Sequence, residues 1–426
     1  MEPNLILNLA AALVFGAIAA YVLLLAFRQA HSAAVSARTA DLEQQFLRRK
    51  IDDLIETRRF ERQREELSWS GWRKFEVVER VDEGGDICSF YLQPHDKQTL
   101  PPFMPGQYLT FQLKLAGATN HTVRCYSLSD WHNGQRYRIS VKRQVPPRDP
   151  AKADITKSSS NWLHDNIRQG DILDVKAPSG HFYLDLGRHH PVVLIGGGIG
   201  LTPVLSMLNA LVDRGSEQEI WFFYGVRSGR EHIMREHLDR IAREHPNVHL
   251  HACYSDPEEG DIEGVHYAHK ARVSVDLFKK LLPSNNFDYY FCGPPPMMTS
   301  LYEGLREWGV PEERIHFEAF GPASVKRVAQ AAQPAEGAPA AATMQVTFAR
   351  SNKTVAWDAS FTSLLDFAEA NGVAMESGCR AGNCGTCIAA VKAGNVTYVT
   401  PPGSQPDAGS CLTCCTIPAG DLSIDA

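Results

Sequence analysis

The sequence predicts a multidomain chain. In order it should hold an N-terminal transmembrane helix, an antiparallel β-barrel, a doubly wound α/β domain and a small α+β domain built around thiols. Three observations carry this. Leu5 to Phe27 is apolar apart from Asn8. Residues 72 to about 186 run in short alternating stretches broken by Gly and Pro, and a strand–glycine–helix unit follows at Pro191 to Val212. Six of the ten cysteines fall after residue 378.

At 426 residues the chain is too long for one ordinary core and suggests two to four domains. Charged residues make up 22% and hydrophobic residues 44%, a globular balance. The net charge of −6 gives no sign of nucleic-acid binding. Cysteines so few and so clustered do not form a secreted disulfide framework.

The apolar run at residues 5–27 is long enough, at about 1.5 Å per residue, to cross a hydrocarbon core of about 30 Å. The only charged side chain before it is Glu2; after it come Arg28, Arg38, Arg48, Arg49 and Lys50. The positive-inside rule puts the N-terminus outside and the rest in the cytoplasm, a single-pass protein of the inner membrane. A cleaved signal peptide is the rival reading, but it calls for a basic n-region. The anchor is expected over residues 1–30 and a charged helical spacer over 31–71. Asp41 to Glu66 alternates acid and base without Gly or Pro, and Leu47, Ile51, Leu54 and Ile55 share one helical face. That stripe is too short to favour a coiled coil.

Near the C-terminus, Cys379, Cys384 and Cys387 stand in Ser-Gly-Cys-Arg-Ala-Gly-Asn-Cys-Gly-Thr-Cys, with Cys411, Cys414 and Cys415 beyond. C-x4-C-x2-C with a distant fourth Cys is the spacing of a plant-type [2Fe–2S] cluster. Its glycines permit the positive φ that wrapping a cluster needs. Structural zinc on the two CxxC pairs is the alternative, and it leaves Cys379 without a role. Residues 344–426 resemble a plant-type ferredoxin domain (β-grasp) of the kind fused to reductases. In that family the last ligand lies in a Leu-x-Cys segment, which here selects Cys414 from Leu412-Thr413-Cys414.

The barrel is expected over 72–187, with strands such as Tyr108–Leu113 and Tyr137–Val141. Within it stand Arg124-Cys125-Tyr126-Ser127 and then Val141-Lys142-Arg143. These resemble the ferredoxin-reductase superfamily, whose flavin motif is R-x-Y-[ST]. The resemblance implies that Arg124 holds the FAD pyrophosphate, Tyr126 stacks on the isoalloxazine and Ser127 bonds near N5, with Val141 and Lys142 also at the flavin. A guanidinium fork suits phosphate oxygens and an aromatic face suits a flat ring. The family's G-x-x-S-x-x-L motif matches at Ser160 and Leu163, but Lys157 stands where glycine is usual.

The α/β domain is expected over 188–320. Pro191-Val192-Val193-Leu194-Ile195 reads as a buried parallel strand. It leads into Gly196-Gly197-Gly198-Ile199-Gly200-Leu201-Thr202-Pro203, the turn by which backbone N–H groups and a helix N-terminus receive a pyrophosphate. Further strands at Ile220–Gly225, Val248–Tyr254 and Tyr289–Cys292 alternate with helical stretches. Gly198-x-Gly200-x-x-Pro203 and Cys292-Gly293-Pro294-Pro295-Pro296-Met297 match the superfamily's nucleotide motifs. By that resemblance Cys292 lies against the nicotinamide C4. In the closing Glu318-Ala319-Phe320, Glu318 is near the reacting ring and Phe320 covers the flavin. Glu231 leans toward NADH, whereas Arg227 and Arg230 leave NADPH possible. The histidines at 189, 190, 232, 237, 249 and 251 show no metal spacing.

Residues 321–343, rich in Ala, Pro and Gln, read as a linker. From about residue 72 onward the chain resembles the fused flavin–ferredoxin reductases that serve bacterial oxygenases. The resemblance implies electron flow from reduced nicotinamide to FAD to [2Fe–2S] and on to a redox partner, a membrane-associated oxygenase, desaturase or hydroxylase. Donation to quinone or another membrane complex, and a redox-sensing scaffold without turnover, are the other readings.

Overall fold

A computed structural model describes residues 3–115, 121–144, 158–318, 320, 344–378, 380, 382, 385–399, 402 and 406–426. Cys379, Cys384, Lys157 and the expected linker lie outside them. The chain divides into two units, 1–63 and 64–426.

Helix α1 spans Pro3–Leu67 without a break, so the expected anchor and spacer are one helix. No Pro or Gly lies between residues 17 and 67 to interrupt it. Its apolar stretch is long enough to cross a membrane, and among the described residues none of it is buried in the protein. Leu13, Phe15 and Leu23 are each about 70% exposed.

In the second unit, β1 (Arg73–Gly84), β2 (Ile87–Pro94), β3 (Tyr108–Leu113), β4 (Thr122–Ser127), β5 (Tyr137–Lys142) and β6 (Ile172–Ser179) form one antiparallel sheet, ordered β4-β3-β6-β1-β2-β5. A bridge from Leu128 to Ile139 and the bond from Ser129 N to Arg138 O bring its two edge strands together into a barrel. Phe75, Phe90, Leu109, Phe111, Ile139 and Val175 fill the interior. Helix α2 (Ser159–Asn166) caps it through Leu163.

The next sheet is parallel: β7 (Val192–Gly197), β8 (Ile220–Val226), β9 (Val248–Tyr254), β10 (Asp288–Cys292) and β11 (Ile315–Glu318), in the order β11-β10-β7-β8-β9. Successive residues of β7 serve opposite cores. Val192 and Leu194 pack with α3 (Leu201–Asp213) and α4 (Arg235–Glu244), Val193 and Ile195 with α5 (Val275–Leu281) and α6 (Pro295–Glu307). Burial on both faces explains why β7 is a continuous apolar run. From β7 the sheet grows one way to β8 and the other way to β10, and ligands of such sheets bind at the strand C-termini where that direction switches.

The third sheet joins β12 (Gln345–Phe348), β13 (Lys353–Ala356), β14 (Ile388–Ala393), β16 (Ser410–Leu412) and β18 (Leu422–Ile424). Helix α7 (Leu364–Ala370) packs Phe367 and Ala368 against it, and β15 (Val396–Tyr398) pairs separately with β17 (Thr416–Pro418). Among these pairs β12 and β18 run parallel and the rest antiparallel, an α+β arrangement.

Candidate functional site

Strand β4 sets the flavin motif residues at the barrel's edge. Arg124 is exposed, with Nη1 donating to Val123 O at 2.8 Å. Tyr126 meets Phe111 edge-on at 5.7 Å and shares a hydrogen bond with Ser160 in the first turn of α2. Burial pushes its phenol up to about 12, so it stays neutral and presents a ring. Ser127 is buried one step further along. Helix α2 is tied to β5 by His164 Nε2, 2.8 Å from Val141 O, and is capped by Ser158 Oγ, which accepts from Asn161 N at 3.4 Å. Its Ser159 Oγ is buried with no partner among the described residues. An exposed guanidinium, a half-buried tyrosine and an unspent hydroxyl at a helix N-terminus fit a dinucleotide flavin with its pyrophosphate at α2. Lys142 is engaged elsewhere: its Nζ lies 3.8 Å from Glu231 of the parallel-sheet domain.

The nucleotide turn follows β7 as a 3-10 turn, Gly198–Gly200, leading into α3. Its glycines have different reasons. Gly198 holds φ +53° with open space around it, whereas a Cβ on Gly200 would stand 2.2 Å from Cys292 O. A Cβ on Gly197 would meet Met297 Sδ at 2.6 Å and Pro294 Cδ at 2.9 Å, and one on Gly293 would meet Gly197 Cα at 3.2 Å. The two turns ending β7 and β10 therefore touch backbone to backbone, and the free side at Gly198 suits a pyrophosphate. Thr202 Oγ1 bonds Ile199 O at 3.0 Å and steadies the turn, while Pro203 is buried just inside α3.

Cys292 pairs in register with Gly196 on one side and Glu318 on the other. The thiol is fully buried, and burial, then the nearby Glu318, raise its pKa well above the ordinary value. Glu318 Oε2 is buried without a partner among the described residues, and burial pushes the carboxyl up to about 8. The folded apoprotein thus keeps this proton at neutral pH, while the unfolded chain releases it above about 4.5. Stability falls as pH rises from that value toward 8. In Glu318→Gln this loss disappears, so the variant's melting temperature gains on wild type between pH 5 and pH 9. A constant difference across that range would put the carboxyl in water.

Arg227 is exposed just beyond β8. Glu231, the acidic residue that leans toward NADH, lies 3.8 Å from Lys142, and acidic groups missed in the sequence stand nearby. Ser228 Oγ donates to Glu258 Oε1 at 3.0 Å, and Gly229 N to Asp261 Oδ2 at 3.1 Å. No local signal marks them, because the contact closes over about thirty residues. Phe320 is 41% exposed. Among the singled-out histidines, His232 Nδ1 lies 2.8 Å from Tyr254 Oη and His251 Nδ1 lies 3.0 Å from His269 Nε2, while His189 is exposed.

In the third domain the Cys387 and Cys414 thiols are within hydrogen-bonding reach. Gly382 N donates to Cys414 Sγ at 3.2 Å, and Thr413 N to Cys387 O at 3.1 Å. Arg380, Gly382 and Gly385, described residues of the segment between Cys379 and Cys387, all have positive φ. Backbone N–H aimed at sulfur suits thiolates holding an iron–sulfur cluster. Cys411 is instead part of the apolar core with Phe348 and Phe367, and burial raises its pKa to about 11. Cys415 is buried, with Sγ 3.5 Å from Leu412 O.

Residues 194–302 match the oxidoreductase NAD-binding domain family, and 346–419 the 2Fe-2S iron-sulfur cluster binding domain family. The flavohemoprotein of Bacillus thuringiensis subsp. konkukian is 39% identical over 259 residues, 61% of this chain and 63% of that protein. That of Chromobacterium violaceum is 40% identical over 59% of this chain and 61% of its own length. The chain thus spans under two-thirds of these relatives. The FAD/NAD-binding domain of nitric oxide dioxygenase from Vibrio cholerae is 32% identical, with 59% of this chain and 100% of that one covered and a TM-score of 0.51. Phthalate dioxygenase reductase is 25% identical over 84% of this chain and 98% of its own, TM-score 0.51. Barrel, parallel sheet and thiol-bearing domain each have their counterpart there, and the chain belongs to the ferredoxin–NAD(P)H reductase superfamily, as an FAD- and NAD-binding reductase fused to a [2Fe–2S] ferredoxin domain.

Proposed function

We propose that the chain is a membrane-anchored, NADH-dependent reductase that passes electrons through FAD and the [2Fe–2S] centre to a partner oxygenase, desaturase or hydroxylase. One observation carries this reading: the crevice where β7 and β10 end brings the glycine turn, Cys292 and Glu318 together. When bound, the flavin accepts a hydride and releases electrons singly, and the cluster carries them outward. The protein's part is placement. Gly198 and the α3 N-terminus receive the dinucleotide pyrophosphate, and the buried Cys292 gives the nicotinamide a dry, uncharged wall. Glu318, protonated at neutral pH, offers an O–H to the reacting region. Arg124 and the first turn of α2 hold the flavin diphosphate, with Tyr126 against the ring. Cys379, Cys384, Cys387 and Cys414 hold the irons. The acidic groups beside Ser228 disfavour a 2′-phosphate, which supports NADH. The relation to phthalate dioxygenase reductase, a protein described as carrying electrons from pyridine nucleotides to [2Fe–2S], supports the order of transfer.

The test is anaerobic titration of the detergent-solubilised protein with NADH and NADPH. NADH should bleach the flavin and bring up the paramagnetic signal of a reduced cluster; a protein reduced by neither nucleotide overturns the reading. Deleting residues 1–30 should give a protein soluble without detergent, with unchanged NADH–ferricyanide activity. If that truncation loses FAD, the segment supports the fold rather than anchoring it.

A further inference from the structure

The barrel and the parallel-sheet domain are joined by a run of hydrogen bonds that none of the predicted site residues enters. Its centre is Asp130, three residues past Ser127. Ser206 Oγ donates to Asp130 O at 2.9 Å, and Asn209 Nδ2 donates to Asp130 Oδ1 at 2.7 Å. The same Oδ1 accepts from Trp131 N at 2.9 Å, which fixes the carboxylate's rotamer.

On the barrel side, the Arg138 guanidinium lies 3.5 Å from Asp130 Oδ2 and donates to Ser129 O and, at 3.1 Å, to Ser129 Oγ. Ser129 Oγ continues to Ser140 Oγ at 2.9 Å, and that to Ser89 Oγ at 2.7 Å. On the other side, Asn209 Oδ1 accepts from His237 Nε2 at 2.8 Å. Ser129, Ser140, Ser89, Ser206, Asn209 and Arg138 are all buried. The Asp130 carboxylate itself is 39% exposed, yet each of its described links ends on a buried or half-buried polar group, and breaking such a link leaves that group unpaired.

What it joins decides its role. Asp130 continues the segment that carries Tyr126 and Ser127. Ser206 and Asn209 lie on α3 at helical spacing from Thr202, the residue that closes the nucleotide turn. One end of the tether is therefore fixed to the flavin-stacking residues and the other to the pyrophosphate turn. Close packing supports it: a Cβ on Gly106, in the barrel, would stand 2.5 Å from Met207 Cε on α3.

We infer that Asp130 is a positioning residue: by holding α3 to the barrel it sets the approach of the nicotinamide to the flavin. This rests on the function proposed above. Misplacing reacting atoms by about 1 Å costs roughly 100-fold in rate, so a tether of this kind acts on the reduction step itself.

The experiment uses the full-length holoprotein in detergent, mixed anaerobically with NADH and followed at flavin wavelengths. In Asp130→Ala, flavin reduction at saturating NADH should fall roughly 10- to 100-fold. The long-wavelength absorbance that marks nicotinamide stacked on flavin should weaken. FAD content and the NADH dissociation constant should stay near wild type. Asp130→Asn keeps an oxygen for Asn209 and should recover most of the rate, and Ser206→Ala should show the same pattern in milder form. Wild-type rate and absorbance in Asp130→Ala overturn the inference. So does loss of FAD from both Asp130→Ala and Ser206→Ala, which would make the network a fold support only. If wild type itself is not reduced by NADH, the proposed function fails rather than the tether.

Discussion

Cys414→Ser yields a protein that reduces ferricyanide with NADH but no longer reduces cytochrome c. Ferricyanide can take electrons from the flavin directly, whereas cytochrome c is expected to take them from the cluster. The loss should exceed the roughly 100-fold that removing a hydrogen bond to a metal ligand already costs a metal site. It should be accompanied by disappearance of the paramagnetic signal after dithionite. Cys414 shares a hydrogen bond with Cys387 and accepts from Gly382 N, while Cys411 is spent in the core between sheet and helix. Cys411→Ser should therefore keep the cluster and lose stability, since it puts a hydroxyl among apolar groups. A Cys411→Ser protein without cluster, beside a Cys414→Ser protein that retains it, would reverse the assignment. Zinc in the purified protein would remove the ground for both.

The parts of this molecule that a local pattern encodes could be read from the chain. The run Val248–Tyr254 is strand β9, and the turn from Ile195 to Thr202 joins β7 to α3. Other parts depended on contacts that no window of sequence contains. Tyr108–Leu113 was expected to alternate, yet five of its six residues are buried. A barrel strand covered on its outer side has no solvent face to make polar. Glu231 reads as an acidic residue following β8; that the 3-10 turn Gly229–Glu231 sets it 3.8 Å from Lys142 of the barrel is a contact no local window contains. The link from Asp130 to Asn209 spans 79 residues and is made by ordinary polar side chains. The spacer's Leu47, Ile51, Leu54 and Ile55 share a face as read, and all stand exposed on α1.

The glycine turn shows the same division within a single motif. A sequence can say that Gly198 and Gly200 belong to a phosphate loop; it cannot say why each is glycine. For Gly198 the reason is its φ of +53°, which costs an L-residue about 1–2 kcal/mol. For Gly200 the backbone is ordinary helix, φ −62°, and the reason lies across the crevice. An added methyl would stand 2.2 Å from Cys292 O, 2.4 Å from its carbonyl carbon and 2.7 Å from Gly293 N, all backbone atoms that no rotamer change can move aside. Gly200→Ala must therefore separate the two turns. Overpacking of this kind costs about 1–3 kcal/mol. The crevice proposed for the nicotinamide, beside Cys292 and Glu318, opens by the same shift. The expected result is a fall in kcat/KM for NADH of roughly 10- to 100-fold, the equivalent of that strain carried into the transition state. FAD content and the cluster signal should be unchanged, because barrel and ferredoxin domain do not feel the methyl. Melting of the nucleotide-free protein should also move down in Gly200→Ala, since the clash is with the protein itself. If kcat/KM and melting both stay at wild-type values, the turns after β7 and β10 do not touch, and the crevice that positions Cys292 is wider than the backbone contacts require.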